Sequence, residues 1–224
     1  MEAGSRVEEG GAVGLRRERV PGWVRAGFWG CVVIAVAVVM RRLVALAHPS
    51  PSAPPQLAEL DAVFAAHAGL TLAHIVPALL FVVLVPLFYV RRFAGSVWPE
   101  RVLFSLGAVV GATAYAMSVY AVGGWVERSA VLFFNSLFLY ALGRSYWHLR
   151  RGERQQQWSW MTRAIGILLG IATTRPVMGV FFATSRLTHL EPRQFFGIAF
   201  WIGFSVNTVA VECWLRSRAG RSCW

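Results

Sequence analysis

The stretch Ile165–Thr184, IGILLGIATTRPVMGVFFAT, is twenty residues long and uncharged except for Arg175, which sits in its middle. Twenty residues of α-helix rise about 30 Å, the thickness of a bilayer's hydrocarbon core. An arginine at that depth costs at least ~2.5–3.5 kcal/mol on insertion scales, so it must face protein, water or a ligand rather than lipid tails. One segment therefore points to a membrane fold and to a site within it.

The rest of the chain agrees. Its 224 residues are 56% hydrophobic, too apolar for an ordinary soluble domain or a nucleic-acid binder. All 22 basic residues are arginine and the net charge is +11, with the arginines gathered beside apolar runs. That placement suits membrane orientation rather than RNA or DNA. Six apolar runs follow one another: Trp23–Ala47, Val63–Val90, Val102–Trp125, Ala130–Trp147, Trp160–Thr184 and Phe195–Leu215. Each is long enough to span, and only a helix satisfies its backbone within a single segment. The expected fold is an all-α integral membrane bundle of six transmembrane helices over residues 23–215. Residues 1–22 read as a disordered cytoplasmic tail and residues 216–224 as a short basic one.

Loop charges set the orientation. Arg6, Arg16, Arg17, Arg19 and Arg25 precede the first run, and Arg91, Arg92 and Arg101 flank the second loop. Arg150, Arg151 and Arg154 fill the fourth loop, and Arg216, Arg218 and Arg221 follow the last run. Alternate loops hold only Arg128, or Arg186 and Arg193, and the stretch His48–Ala62 holds none. Both termini are therefore expected in the cytoplasm. Trp23, Trp98, Trp125, Trp147, Trp158 and Trp160 form an interfacial belt. Arg41 and Arg42 fall at the disfavoured outer end and are expected to snorkel to headgroups. The first run is expected to be retained rather than cleaved after Ala45–Leu46–Ala47. HPSPSAPPQLAELDA, from His48 to Ala62, reads as an outer loop with polyproline character.

Helical rise puts Arg175 about 21 Å from the cytoplasmic start of its helix, beyond the midplane. His74 lies about 12 Å in from the outer end of the second helix, at nearly the same depth. Asn135 on the fourth helix, with Tyr115 and Tyr120 on the third, also belongs to the outer half. Arg175, His74, Asn135 and Tyr115 are thus expected to line one outer-half pocket. Pro77 and Pro176 each free a backbone carbonyl beside this set, with Thr173 and Thr174 able to bond the loosened chain. His67, seven residues before His74, is placed on the same helical face. Nearer the cytoplasm, Arg163 and Glu212 are expected to form a structural ion pair between the last two helices. Gly107-x-x-x-Gly111 and Gly166-x-x-x-Gly170 are small-residue faces that permit close packing.

Helices four to six resemble a family of bacterial multi-pass membrane proteins, domain of unknown function 2306. The resemblance rests on Trp160, Met161 and Arg163 opening one helix, Arg175 within it, and Asn207 and Glu212 closing the last, with His74 matching an early histidine. It covers roughly Leu70 to Leu215. The family's histidine before Trp-Met is Gln157 here, and its His-Arg pair after helix two appears as Trp98–Arg101. The resemblance implies topology and a bacterial inner (plasma) membrane location; it implies no activity.

Three functions compete. One is binding or moving a small anionic or amphiphilic ligand, with Arg175 as charge anchor and His74 and Asn135 as hydrogen-bonding partners. Another is a b-type haem or quinone redox protein using His74 or His67 as axial ligand. Bis-histidine ligation lacks a second intramembrane histidine, because His48, His148 and His189 fall at interfaces or in loops. The third is a structural or assembly subunit whose polar groups only pack helices. A metal site from His48, His67, His189, Asp61 and Glu191 has no recognised ligand spacing, so no metal is expected. No GxSxG, HExxH or P-loop pattern occurs, no catalytic residue is assigned, and the chain reads as a non-enzyme. Cys31, Cys213 and Cys223 show neither disulfide nor zinc spacing.

Overall fold

Apolar runs punctuated by Gly and Pro leave the backbone one economical solution in lipid, and the chain takes it. A computed structural model of the protein describes residues 21–48, 55–89, 97–188 and 192–219. Most of the N-terminal tail, Arg91, Arg92, His189, Glu191, Arg221 and Cys223 lie outside the described residues. The helices are α1 (Gly22–Ala47), α2 (Pro55–Ala66), α3 (Ala68–Tyr89), α4 (Val97–Ser118), α5 (Gly124–Arg150), α6 (Arg154–Leu168), α7 (Gly170–Thr188) and α8 (Pro192–Ala219). No strand occurs among the described residues.

Among the described residues five stretches are long and apolar enough to cross a membrane: Gly22–Ala47, Ala68–Pro86, Glu100–Ser118, Arg154–Thr184 and Gln194–Arg218. The protein is therefore an all-helical membrane protein with several spanning helices. α5 is longer than most of these, at 27 residues, but Glu127, Arg128, Asn135 and Arg144 dilute its apolar character. It is also the hub of the bundle, packed against α4, α6 and α8. Ala130, Phe134, Phe138 and Ala141 run down its buried face at helical spacing.

Four local readings of the sequence change. The proline-rich stretch is not all loop, because residues from Pro55 onward form α2. Pro55 occupies the first helical position, where a missing N–H costs nothing, and Gln-Leu-Ala-Glu-Leu behind it are good helix formers. The second run is broken at His67, which lies in the turn between α2 and α3. His67 and His74 therefore do not share one helix face. The third helix stops at Ser118, so Tyr120 sits in the following turn while Tyr115 stays on α4. The run containing Arg175 divides at Leu169, seven residues before Pro176. There the Ala172 N–H bonds Leu169 O at 2.9 Å, an i→i−3 closure that tightens the chain by one residue.

Small residues explain the tight seam beside this break. A methyl group on Gly170 would lie 2.9 Å from Phe204 Cα, and one on Gly203 would lie 2.6 Å from the Thr174 nitrogen. α7 and α8 thus touch backbone to backbone, as small-residue faces allow. Gly107 gives α4 a matching seat for Leu142 of α5, at 2.7 Å from where a methyl group would stand.

Gly203→Ala is expected to lose roughly 1–3 kcal/mol, because backbone cannot retreat from the added carbon. Gly179→Ala, which meets nothing within 4 Å, serves as the control and should stay within about 1 kcal/mol of the parent. Thermal unfolding of the two variants in detergent measures the difference; equal transitions would contradict the close approach.

Candidate functional site

The end of the bundle that carries α2 holds a cavity of about 240 Å³, lined from all eight helices, α6 contributing its last turn through Ile167 and Leu168. Arg175, His74 and Asn135 all line it. Tyr115 does not: its hydroxyl lies 2.7 Å from Ser136 Oγ, whose own proton goes to Leu132 O at 2.7 Å. The tyrosine is therefore the donor, on a neighbouring face of α4 and α5.

Arg175 enters from α7, six residues past the helix break at Leu169. Its Nη1 lies 3.9 Å from Met178 Sδ, a weak acceptor. Its Nε is buried and has no hydrogen-bond partner among the described residues. Around it, Arg41 and Arg42 act as like charges and Glu127 as the opposite one. Arg42 lines the cavity from α1, ion-paired with Asp61 of α2 and with its guanidinium 4.0 Å above the Phe64 ring. Arg41 reaches the same carboxylate at 3.3 Å. The two arginines that looked anomalous at the end of α1 are thus held by the chain's one aspartate rather than by headgroups alone.

Glu127 is buried in the first turn of α5 and accepts the Gly123 N–H at 2.6 Å. Gly123 leaves room for this, since a methyl group there would lie 3.0 Å from Glu127 Cβ. Asn135, one face further along α5, donates to Gly111 O at 2.9 Å and so is committed to α4. His74 Nδ1 lies 2.9 Å from Thr113 Oγ1, and that hydroxyl donates to Val109 O at 2.7 Å. Thr113 must then accept from the imidazole, which assigns the proton to Nδ1 and leaves Nε2 of the neutral ring as an acceptor.

Apart from Thr71, Ser118 and Tyr120, the rest of the lining is apolar, with Phe134, Phe138, Phe196, Phe200 and Phe204 forming an aromatic wall. Phe134 stacks on Phe204 at 5.3 Å, and Phe200 lies 5.8 Å from Phe204. Two guanidinium groups and a carboxylate thus sit beside a surface suited to hydrocarbon. This is the chemistry of a pocket that takes an acidic head through charge-assisted hydrogen bonds and shelters an apolar tail.

Nearer the other end, polar residues tie helices together. Thr173 Oγ1 donates to Asn207 Oδ1 at 2.8 Å, and Asn207 Nδ2 reaches Gly166 O at 3.3 Å. Asn207 of α8 therefore bridges both sides of the Leu169 break. Thr174, the other threonine, donates to Ile171 O at 2.6 Å within its own helix. Arg163 Nε donates to Glu212 Oε2 at 2.8 Å and its Nη1 to Ser159 Oγ at 2.8 Å; Arg216 also reaches Glu212, at 2.9 Å. Both members of the Arg163–Glu212 pair are partly exposed, so the contribution is about 0–1 kcal/mol. Gln157 is fully buried, with Arg154 Nη1 3.1 Å from its Oε1.

Sequence reasoning missed Glu127 and the participation of Arg42. Glu127 follows Trp125 closely and reads as an interfacial charge; the signal available was its position four residues after the Gly123–Gly124 pair. Asp61, the single aspartate of the chain and downstream of two arginines, was the corresponding signal for Arg42. Of the other described histidines, His48 is exposed, and the His67 ring lies 3.7 Å from that of Tyr120. Among the described residues no group of His, Cys, Asp and Glu gathers to hold a metal ion.

A family model described as "Predicted membrane protein (DUF2306)" matches residues 71–215. That is well over half of the chain, and the chain belongs to this family. Comparison with curated proteins and comparison with solved structures each return no match.

The hydrogen-bond chain from His74 through Thr113 to Val109 O makes a spectroscopic prediction. In histidine-¹⁵N-labelled protein, assigned with His74→Gln, His74 should show the Nδ1-protonated tautomer. Thr113→Val removes the acceptor and should move population towards the Nε2-protonated form. An unchanged His74 signal in Thr113→Val would contradict the assignment.

Proposed function

We propose that this member of the family binds a small anionic or amphiphilic ligand, drawn from or moved through the bilayer, in the cavity lined by Arg42 and Arg175. α5 counts as the sixth spanning helix in this reading, both termini are cytoplasmic, and the membrane is the bacterial inner membrane. The arginine-rich loops at the α5–α6 connection and after α8 support that orientation. The cavity then belongs to the outer half.

The observation that carries the reading is the buried Arg175 Nε, unpartnered among the described residues beside a mostly aromatic and aliphatic wall. A buried donor left unmade costs about 1–3 kcal/mol, more for a charged group. An acidic ligand between Arg42 and Arg175 would satisfy that donor. His74 Nε2 and the Glu127 carboxylate are acceptors, so a ligand carrying a hydroxyl or amine beside its acid group fits best. A volume of about 240 Å³ is below the usual range for a drug-sized ligand. It holds a head and the first part of a chain, with any longer tail extending into lipid.

Mass spectrometry of species that co-purify with detergent-extracted protein tests this. Arg175→Leu should lower retention of the anionic species at least about ten-fold, as expected for loss of a charged hydrogen bond. Arg175→Lys should fall between the two, keeping charge without the guanidinium fork. Equal retention by Arg175→Leu, or a parent protein that carries no anionic species, would sink the proposal.

A further inference from the structure

We infer that the opposite end of the bundle carries a binding site for an anionic phospholipid, with the lipid phosphate held by Arg144 between Trp147 and Trp160. This site does not rest on the cavity reading. Arg144 lies seventeen residues along α5 from Glu127, or about 25 Å.

Among the described residues, Arg41 and Arg42 meet Asp61, Arg154 meets Glu100, and Arg163 and Arg216 meet Glu212. Arg144 meets no carboxylate. It stands inside α5, about one turn before Trp147, which puts its charge at the boundary between headgroups and hydrocarbon. Its Nε is buried without a hydrogen-bond partner. The guanidinium lies 4.8 Å from the Trp147 ring centroid and 5.4 Å from that of Trp160. Ring faces attract the cation but accept little from its N–H groups, so the donors remain to be satisfied.

More positive charge converges on the same two rings. Arg151 lies 3.7 Å over Trp147, and Arg163 lies 4.8 Å over Trp160. Three guanidinium groups thus share two indoles, and the carboxylates near them are already engaged: Glu212 by Arg163 and Arg216, Glu153 by His148, and Glu100 by Arg154. Such a cluster at a membrane interface calls for an anion, and planar guanidinium forks match a phosphate's oxygens. Tyr140, exposed on α5, sets its ring edge-on to Trp160 at 5.6 Å. Phe133, Tyr140 and Trp147 repeat at seven-residue spacing and are all exposed, forming an aromatic stripe down α5. An acyl chain would lie along that stripe while its phosphate meets Arg144. The exposed aromatic stripe, a surface for an acyl chain, favours a lipid anchored by its tail over a free phosphate compound.

Native mass spectrometry of the full chain released from phosphatidylcholine nanodiscs containing phosphatidylglycerol reads the site. The parent protein should retain phosphatidylglycerol in preference to phosphatidylcholine, and Arg144→Gln should lower that preference about five-fold. Arg151→Gln, an exposed change that leaves α5 packing alone, should lower it in the same direction and carries the test if Arg144→Gln does not fold. Arg25→Gln, an exposed arginine at the same end of the bundle, should leave it unchanged. Soluble glycerol phosphate should not displace the lipid. Equal retention of the two lipids, an undiminished preference in both α5 variants, an equal loss in Arg25→Gln, or displacement by glycerol phosphate would each overturn the inference.

Discussion

A charge taken into an apolar surrounding has to meet an opposite charge, a π-face, water or a ligand, and that constraint organises this bundle. The chain holds 22 arginines against 11 acidic residues, so intramolecular pairing alone cannot serve them all. Asp61 takes Arg41 and Arg42, Glu100 takes Arg154, and Glu212 takes Arg163 and Arg216. Arg128, Arg144 and Arg151 lie over tryptophan faces. Arg175 has Glu127 as its opposite charge across the cavity and an Nε that nothing among the described residues satisfies. The interest of the protein lies where the accounting stays open.

The placement of Arg175 depends on backbone contact. Gly170 and Gly203 let α7 and α8 meet without intervening side chains, and Asn207 fastens that seam through Thr173 and Gly166 O. α8 in turn approaches the start of α5, where a methyl group on Gly197 would lie 2.7 Å from the Glu127 nitrogen. One helix therefore sets the positions of both Arg175 and Glu127. The family-pattern residues Asn207 and Glu212 act in this scaffold as fasteners between helices.

Much of this was legible in the residues. Apolar run length identified the helices, and helical rise put Arg175 and His74 at one height, where both line a single cavity. Height is what a sequence yields; azimuth is not. Tyr115 has the right height and faces Ser136 instead. The breaks at His67 and Leu169 fall on residues that are not proline, so neither position carries a strong helix stop in the sequence. Proline in the stretch before Val63 reads as a helix breaker, yet Pro55 at a first helical position starts α2. Glu127 and Arg42 were obscured because charges near helix ends are ordinarily interfacial.

The division at Leu169 has a mechanical meaning. A continuous helix would transmit the anchoring of Trp160 and Arg163 rigidly to Arg175, fixing the cation by its distance from one surface. Two rods joined at a tightened turn do not. Arg175 lies six residues past Leu169, a lever arm of about 9 Å, and its position is governed by the α8 seam instead of by the interfacial anchor of α6. A tilt of α7 by some ten degrees about that fulcrum would carry the guanidinium on the order of 1–2 Å, comparable to the difference between a hydrogen bond made and one missed. The fold thus separates the part of the chain that holds to the membrane surface from the part that aims the charge.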